Sequence, residues 1–237
     1  MRARDIDYRC DEANLRGYLA MGENAAGPRP GVLVFHEGLG EFAMERARRL
    51  AGLGYVALAA DMFGDRRQAS NLQEVATLVG GLRAEPEKLR ARGRAALATL
   101  AALPQVDAGR LAAIGFCFGG SVVLELAREG AALKAVVSLH GVLATKMPAQ
   151  PGQVKASVLV CTGVDDPLAP PEQVADFENE MRTGGVKDWQ VIAYGNTLHG
   201  FTNPAADGSM MRAAVYNEQA DRRSWASMKS LFDEVLT

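Results

Sequence analysis

The sequence has no surplus of positive charge: 26 Lys and Arg residues stand against 28 Asp and Glu, a formal net charge of −2. A chain so balanced carries no basic footprint for nucleic acid or an anionic membrane surface. Long apolar runs are missing as well. Nothing approaches the ~20 residues needed to cross a bilayer, and the opening MRARDIDYRCDE lacks the apolar centre of a secretory signal. Cysteine is scarce, and Cys10, Cys117 and Cys161 are too widely spaced for a C-x-x-C zinc or redox pair. An odd count of cysteines without a signal segment points to reduced thiols and a cytoplasmic location. Repeats, low-complexity tracts and linkers are also lacking. The 237 residues, 48% hydrophobic, therefore suit a single domain over 1–237 with a substantial core.

What is present alternates between short apolar runs and helical patterns. Ile6–Arg9 and Leu15–Met21 read as an antiparallel hairpin at a sheet edge, joined by the polar turn Cys10–Asn14. Gly31–Phe35, Tyr55–Ala60, Leu111–Ile114, Ala135–Leu139, Ser157–Cys161 and Trp189–Tyr194 read as further strands. Gly31–Phe35 is a continuous apolar run, the mark of a strand covered on both faces, and Tyr55–Ala60 and Leu111–Ile114 read as buried in the same way. Between them Ala43, Ala47, Leu50 and Ala51 fall at helical spacing, closed by Gly52 and Gly54. Leu72–Leu82 forms a short helix, Pro86 begins a longer one, and Val174, Phe177 and Met181 share one face of another. The tail from about Ser209 to Leu236 is amphipathic, with Trp225, Met228, Phe232 and Val235 aligned. Strands alternating with helices imply an α/β fold, a mainly parallel sheet with helices on both faces.

One junction stands out. Leu111–Ile114 runs straight into Gly115-Phe116-Cys117-Phe118-Gly119-Gly120, and a helical pattern follows at once. A strand that turns directly into a helix strains its hinge residue, and glycines on either side let the two arms approach. The hinge side chain, here Cys117, then stands at the carboxyl edge of the sheet. The Phe118 N–H, on the first helical turn, points toward any oxyanion formed there.

Ligands of such sheets collect at the carboxyl ends of the strands. His36 and Glu37 follow one strand, Cys117 another, Asp165 and Asp166 a third, and His199 the last. Nucleophile, acid, histidine is the chain order of the α/β-hydrolases. An ordinary thiol is mostly protonated at neutral pH, so Cys117 needs a base. His199 would take the proton and a carboxylate would hold its tautomer.

With these residues assembled, the chain resembles the dienelactone hydrolase family over nearly its full length. The resemblance is carried by His36-Glu37-Gly38-Leu39-Gly40, the cysteine elbow Gly115–Gly120, Gly163-Val164-Asp165-Asp166 followed by Pro170, and Leu198-His199-Gly200-Phe201. It implies an α/β-hydrolase fold without a cap domain and a Cys117–Asp166–His199 triad. Asp166 is preferred over Asp165 by the family's G-x-x-D-x-x-x-P spacing. Glu37 falls on the family's extra glutamate, which takes part in activating the thiol. The second oxyanion donor comes from the Glu37–Gly38 turn, that is, from Gly38. Phe35, Leu39, Phe63, Phe116 and Phe201 are candidate pocket walls. The implied reaction is hydrolysis of small carboxylic esters or lactones through an acyl-enzyme, by a monomer or small homo-oligomer that needs no metal or cofactor. Carboxymethylenebutenolidase proper, a thioesterase, an organophosphate triesterase side activity and a non-catalytic binding protein are the alternatives.

There is one departure. The family's namesake enzymes place a carboxylate-binding arginine four residues after the histidine, where this chain has Asn203. That implies a preference for neutral substrates unless Arg66, Arg67 or Arg83 reaches the pocket.

Overall fold

The apolar runs become strands of one eight-stranded sheet, five of them inner and the last, Trp189–Tyr194, at an edge. The structure, a computed structural model, describes residues 1–23, 27–37 and 42–237. Its elements in chain order are β1 (Arg2–Cys10), β2 (Ala13–Met21), β3 (Arg29–Phe35), α1 (Phe42–Gly52), β4 (Val56–Ala60), α2 (Leu72–Ala84) and α3 (Pro86–Ala101). There follow β5 (Val106–Phe116), α4 (Phe118–Arg128), β6 (Ala135–Leu139), β7 (Ser157–Gly163), α5 (Pro171–Thr183), β8 (Trp189–Tyr194) and α6 (Glu218–Val235). The strand order is β1-β2-β4-β3-β5-β6-β7-β8. The β1–β2 and β2–β4 pairs are antiparallel and every other pair is parallel. All strands from β3 to β8 therefore point their carboxyl ends to one edge, which is where the chemistry-bearing residues lie.

Alternation along the strands builds two cores. Leu33, Phe35 and Ala113 face one side with residues of α2, α3, α4 and α5, including Leu89, Val122 and Phe177. Val32, Val34, Ala112 and Ile114 face the other, against α1 and α6 through Ala47, Leu50, Trp225 and Phe232. Each fully buried aliphatic or aromatic side chain here contributes about 1.5–3 kcal/mol relative to exposure. With both faces covered, the carboxyl ends of the parallel strands are left to carry the site. Among the described residues no cap folds over that edge, and β6 leads to β7 through a helix-free segment.

Several strand boundaries differ from the sequence expectation by a few residues, and two differences bear on the site. The first is β5, which begins at Val106 rather than Leu111. Arg29 and Pro30 pair with Val106 and Asp107, and the register then shifts between Pro30 and Gly31, so the polar stretch before Leu111 is an irregular extension of the strand. The second is the amphipathic tail, where only Glu218–Val235 is helical. The Asn217 side chain accepts the Ala220 N–H at 3.1 Å and starts α6, while its own N–H donates to Phe201 O at 3.1 Å. The segment before it is thereby committed to the loop that carries His199.

Candidate active site

Cys117 lies between β5 and α4 with φ 52° and ψ −110°, a conformation rare for L-residues. Packing leaves the turn no alternative. A Cβ on Gly115 would lie 1.9 Å from the Gly119 carbonyl oxygen, and one on Gly119 would lie 2.2 Å from that of Phe35. The Cys117 N–H donates to Leu139 O and the Gly119 N–H to His36 O, each at 3.0 Å. Phe118 then opens α4, and its N–H has no carbonyl one turn earlier to bond.

The structure brings Asp166, not Asp165, to the histidine. Asp166 is buried, with its Oδ2 2.8 Å from His199 Nδ1 and its Oδ1 accepting the Leu168 N–H at 2.8 Å. Asp165 is exposed. The contact to Asp166 leaves His199 Nε2 as the working nitrogen, and it is buried with no hydrogen-bond partner among the described residues. Burial pulls the His199 imidazole down. The negative charge of Cys117 and the bond to Asp166 outweigh it and push the ring up to about 10. Cys117 itself is half-buried. Cys161 is fully enclosed in β7, and burial pushes its thiol up to about 12. Burial also raises the thiol of Cys10.

Glu37 stands at the end of β3, half-buried. Burial pushes its carboxyl up to about 7, against the hydrogen bond from Asn203 and the positive charges of His199 and Arg46. The Asn203 amide is thus occupied by Glu37 rather than turned to a substrate. Gly38 and Leu39, expected as oxyanion donor and pocket wall, lie outside the described residues.

The aromatic expectations need correction. Phe35, Phe116 and Phe201 are 0% exposed, because alternation along the strands and the packing of the His199 loop turn them into the cores. Phe116 packs edge-on to Phe42 at 5.1 Å, and Phe201 packs against His140 at 5.1 Å. They support the site from behind. Phe63 does border a cleft, shared with His36, Glu37 and Arg67.

Arg66 and Arg67 both line the cleft beside Glu37, and they differ in what holds them. Arg66 is held by Asp5 at 2.7 Å and by Gly17 O at 2.8 Å, on the hairpin. Arg67 is exposed and lines the cleft beside Glu37. Arg83, in the last turn of α2, is half-buried and donates to Ser121 Oγ at 3.3 Å. Burial lowers its guanidinium pKa, while the charge of Cys117 raises it, so this cation and the thiol share one electrostatic environment.

Two functional neighbours escaped the sequence reading. His140, directly after β6, accepts the Cys117 N–H on Nδ1 at 3.1 Å. It stands at a strand's carboxyl end, which was the signal that could have found it. Arg46, buried in α1, donates to Thr202 O at 2.6 Å and lies 4.3 Å from the centre of the Phe42 ring, holding the His199 loop from below. Among the described residues no group of three or more His, Cys, Asp or Glu is arranged to hold a metal. No helix among them is long and apolar enough to cross a membrane.

A strained cysteine at a strand-to-helix hinge, facing a histidine held by a buried aspartate on a mostly parallel sheet, defines the α/β-hydrolase class. Residues 15–236 match the dienelactone hydrolase family, and the chain belongs to it. It is 29% identical over 199 residues to the "Putative carboxymethylenebutenolidase" of Escherichia coli K12, covering 79% of this chain and 73% of that one. Among solved structures it is similar to m3DLH, with 46% identity, TM-score 0.94, and 100% of this chain and 99% of that one covered. It is also similar to the dienelactone hydrolase-like promiscuous phosphotriesterase P91 from metagenomic libraries, with 44% identity, TM-score 0.93 and the same coverage. The protein is therefore a hydrolase of the ester- and lactone-cleaving kind.

Proposed function

We propose that the protein hydrolyses small carboxylic esters or lactones through a Cys117–His199–Asp166 triad and a thioester acyl-enzyme. The supporting observation is the pairing of His199 Nδ1 with buried Asp166, which leaves Nε2 unpartnered toward the thiol. In the first half-reaction Nε2 takes the Cys117 proton, and the sulfur attacks the carbonyl carbon. The resulting oxyanion accepts the Phe118 N–H at the start of α4, where the helix dipole also favours negative charge. Collapse of this intermediate expels the alcohol, which takes the proton from His199. Water then enters, gives its proton to Nε2 and attacks the thioester, and the acid leaves as the thiol is restored. Asp166 holds the ring in its tautomer and stabilises the imidazolium.

Glu37 contributes a carboxyl poised between its two protonation states beside this pair. Arg83 supplies a guanidinium for a substrate carboxylate, in place of the arginine that Asn203 replaces. A substrate bearing a carboxylate is thus accommodated rather than disfavoured. The chain acts as one α/β-hydrolase unit, with no second domain required for the reaction.

Purified protein assayed with p-nitrophenyl acetate, a carboxylate-bearing lactone and a thioester tests the reading. Turnover that disappears on stoichiometric alkylation of Cys117 supports it. Stoichiometric labelling without turnover would favour a binding protein instead. A second activity, on phosphotriesters, is favoured by the 44% identity to P91, whose name records a promiscuous phosphotriesterase. Paraoxon belongs in the same panel, since the same thiol and oxyanion donor would serve attack at phosphorus.

A further inference from the structure

Beyond the triad stands His140, a buried imidazole for which the proposed reaction has no use. It follows β6 at φ 40°, in the left-handed region that a non-glycine residue adopts only when its surroundings require it. Its backbone N–H donates to Cys161 O at 2.9 Å. The ring is 0% exposed and both nitrogens are engaged. Nδ1 lies 3.1 Å from the Cys117 backbone nitrogen, and Nε2 lies 2.8 Å from Thr202 Oγ1.

These partners fix the tautomer. An amide N–H only donates, so Nδ1 presents its lone pair and the ring proton sits on Nε2, donated to Thr202. Protonating Nδ1 would set two donors against each other inside the core. The titratable or charged groups facing the ring are Cys117, His199 and Arg46. Burial and the charges of His199 and Arg46 hold His140 well below the ordinary histidine range. The ring therefore stays neutral while its neighbour His199 gains and loses a proton. The two rings stand edge to face, 5.1 Å apart at 70°.

His140 touches both halves of the proposed machinery. Cys117 is the elbow, and Thr202 lies three residues after His199 on the same loop. In the proposed reaction a proton passes between thiol and imidazole in every cycle, and His199 Nε2 has no hydrogen-bond partner among the described residues to hold the ring. A link through the elbow amide and the loop hydroxyl persists through those steps. Building on the triad reading above, we propose that His140 is a neutral positioning imidazole that sets the separation between thiol and base. It does so by tying the Cys117 amide to the His199 loop through Thr202. It is not an acid or base, because neither nitrogen is free.

The experiment compares His140→Leu, His140→Gln, Thr202→Val and the Leu/Val double variant with wild type. The readouts are p-nitrophenyl acetate kinetics and the pH dependence of Cys117 alkylation by iodoacetamide, followed by mass spectrometry. His140→Leu should lose about tenfold or more in kcat/KM, chiefly in kcat, as expected when an orienting hydrogen bond is lost. Its alkylation should switch on at higher pH than in wild type. Thr202→Val should move both readouts the same way by less, and the double variant should be no worse than His140→Leu alone. His140→Gln should recover most of the loss, since its amide oxygen accepts and its amide nitrogen donates along the same path.

Unchanged alkylation profiles in His140→Leu and Thr202→Val would overturn the proposal. So would additive losses in the double variant, or a Gln variant as impaired as Leu with melting temperature falling in parallel. If His140→Leu does not fold, Thr202→Val decides alone: wild-type kinetics and profile would sink the idea. Failure of the triad reading looks different, because alkylating Cys117 in wild type would then leave turnover intact.

Discussion

The Asn203 side-chain amide donates to Glu37 Oε1, joining the loop after His199 to the end of β3. A neutral donor there leaves the carboxyl with no directly bonded cation, and burial then dominates its ionisation. The unfolded chain releases this proton near 4.5 and the folded chain near 7, so between these values the folded state holds the extra proton. The group's contribution to stability is full below about 4.5 and is lost as pH rises through 7.

Glu37→Gln keeps the bond from Asn203 and cannot ionise. Relative to wild type it should therefore gain stability on going from pH 4.5 to pH 8.5. Partial exposure limits the gain to about 1–3 kcal/mol. Thermal unfolding of both proteins at the two pH values checks this. A difference between them that stays constant with pH would refute it.

Cys117→Ala should abolish ester hydrolysis and leave the fold intact, because the residue is small and half-buried at the hinge. Iodoacetamide should modify Cys117 before Cys10 and well before the enclosed Cys161. Peptide mapping after partial inactivation gives the order, and modification of Cys161 in step with lost activity would sink the assignment.

Asp166→Asn should lower turnover by up to about 10⁴-fold, the cost of a wrongly set tautomer in the related serine triad. Asp165→Asn, at an exposed position, should change it little. Steady-state kinetics on both variants decides, and reversed effects would move the acid to Asp165.

Arg83→Met should leave neutral esters near wild-type rates. On a carboxylate-bearing lactone it should raise KM or lower kcat/KM about tenfold or more, since a charge-assisted bond is worth about 1.5–3 kcal/mol. The wild-type advantage on the anionic substrate should shrink with salt. Equal losses on both substrates would mean that Arg83 only supports the elbow through Ser121.

Much of this was legible in the chain because it depends on local signals. β3, β4 and β6 are unbroken apolar runs and appear as strands buried on both faces. Gly115 and Gly119 announce the elbow, since no other residue fits against the Gly119 and Phe35 carbonyls. The spacing from Gly163 to Pro170 singled out the aspartate that the structure sets against His199. What stayed hidden depends on distant partners. The direction of His140 is fixed by Thr202, and that of Arg83 by a bond to Ser121 of α4, 38 residues along the chain. Four phenylalanines near strand ends looked alike, yet alternation puts Phe35 and Phe116 in opposite cores and only Phe63 beside the cleft.

Besides the bonds of Gly120 and Ser121 N–H to Cys117 O, the elbow closes on its neighbours: Cys117 N–H on Leu139 O of β6, Gly119 N–H on His36 O after β3. Neither acceptor is in place until three central strands have paired, and the strained backbone at Cys117 has nothing to hold it before then. Thiol reactivity is thus acquired late, as a property of the assembled sheet and not of the pentapeptide. A nascent or partly unfolded chain carries an ordinary cysteine at this position. The rate of Cys117 labelling consequently serves as a built-in clock for completion of the sheet during refolding.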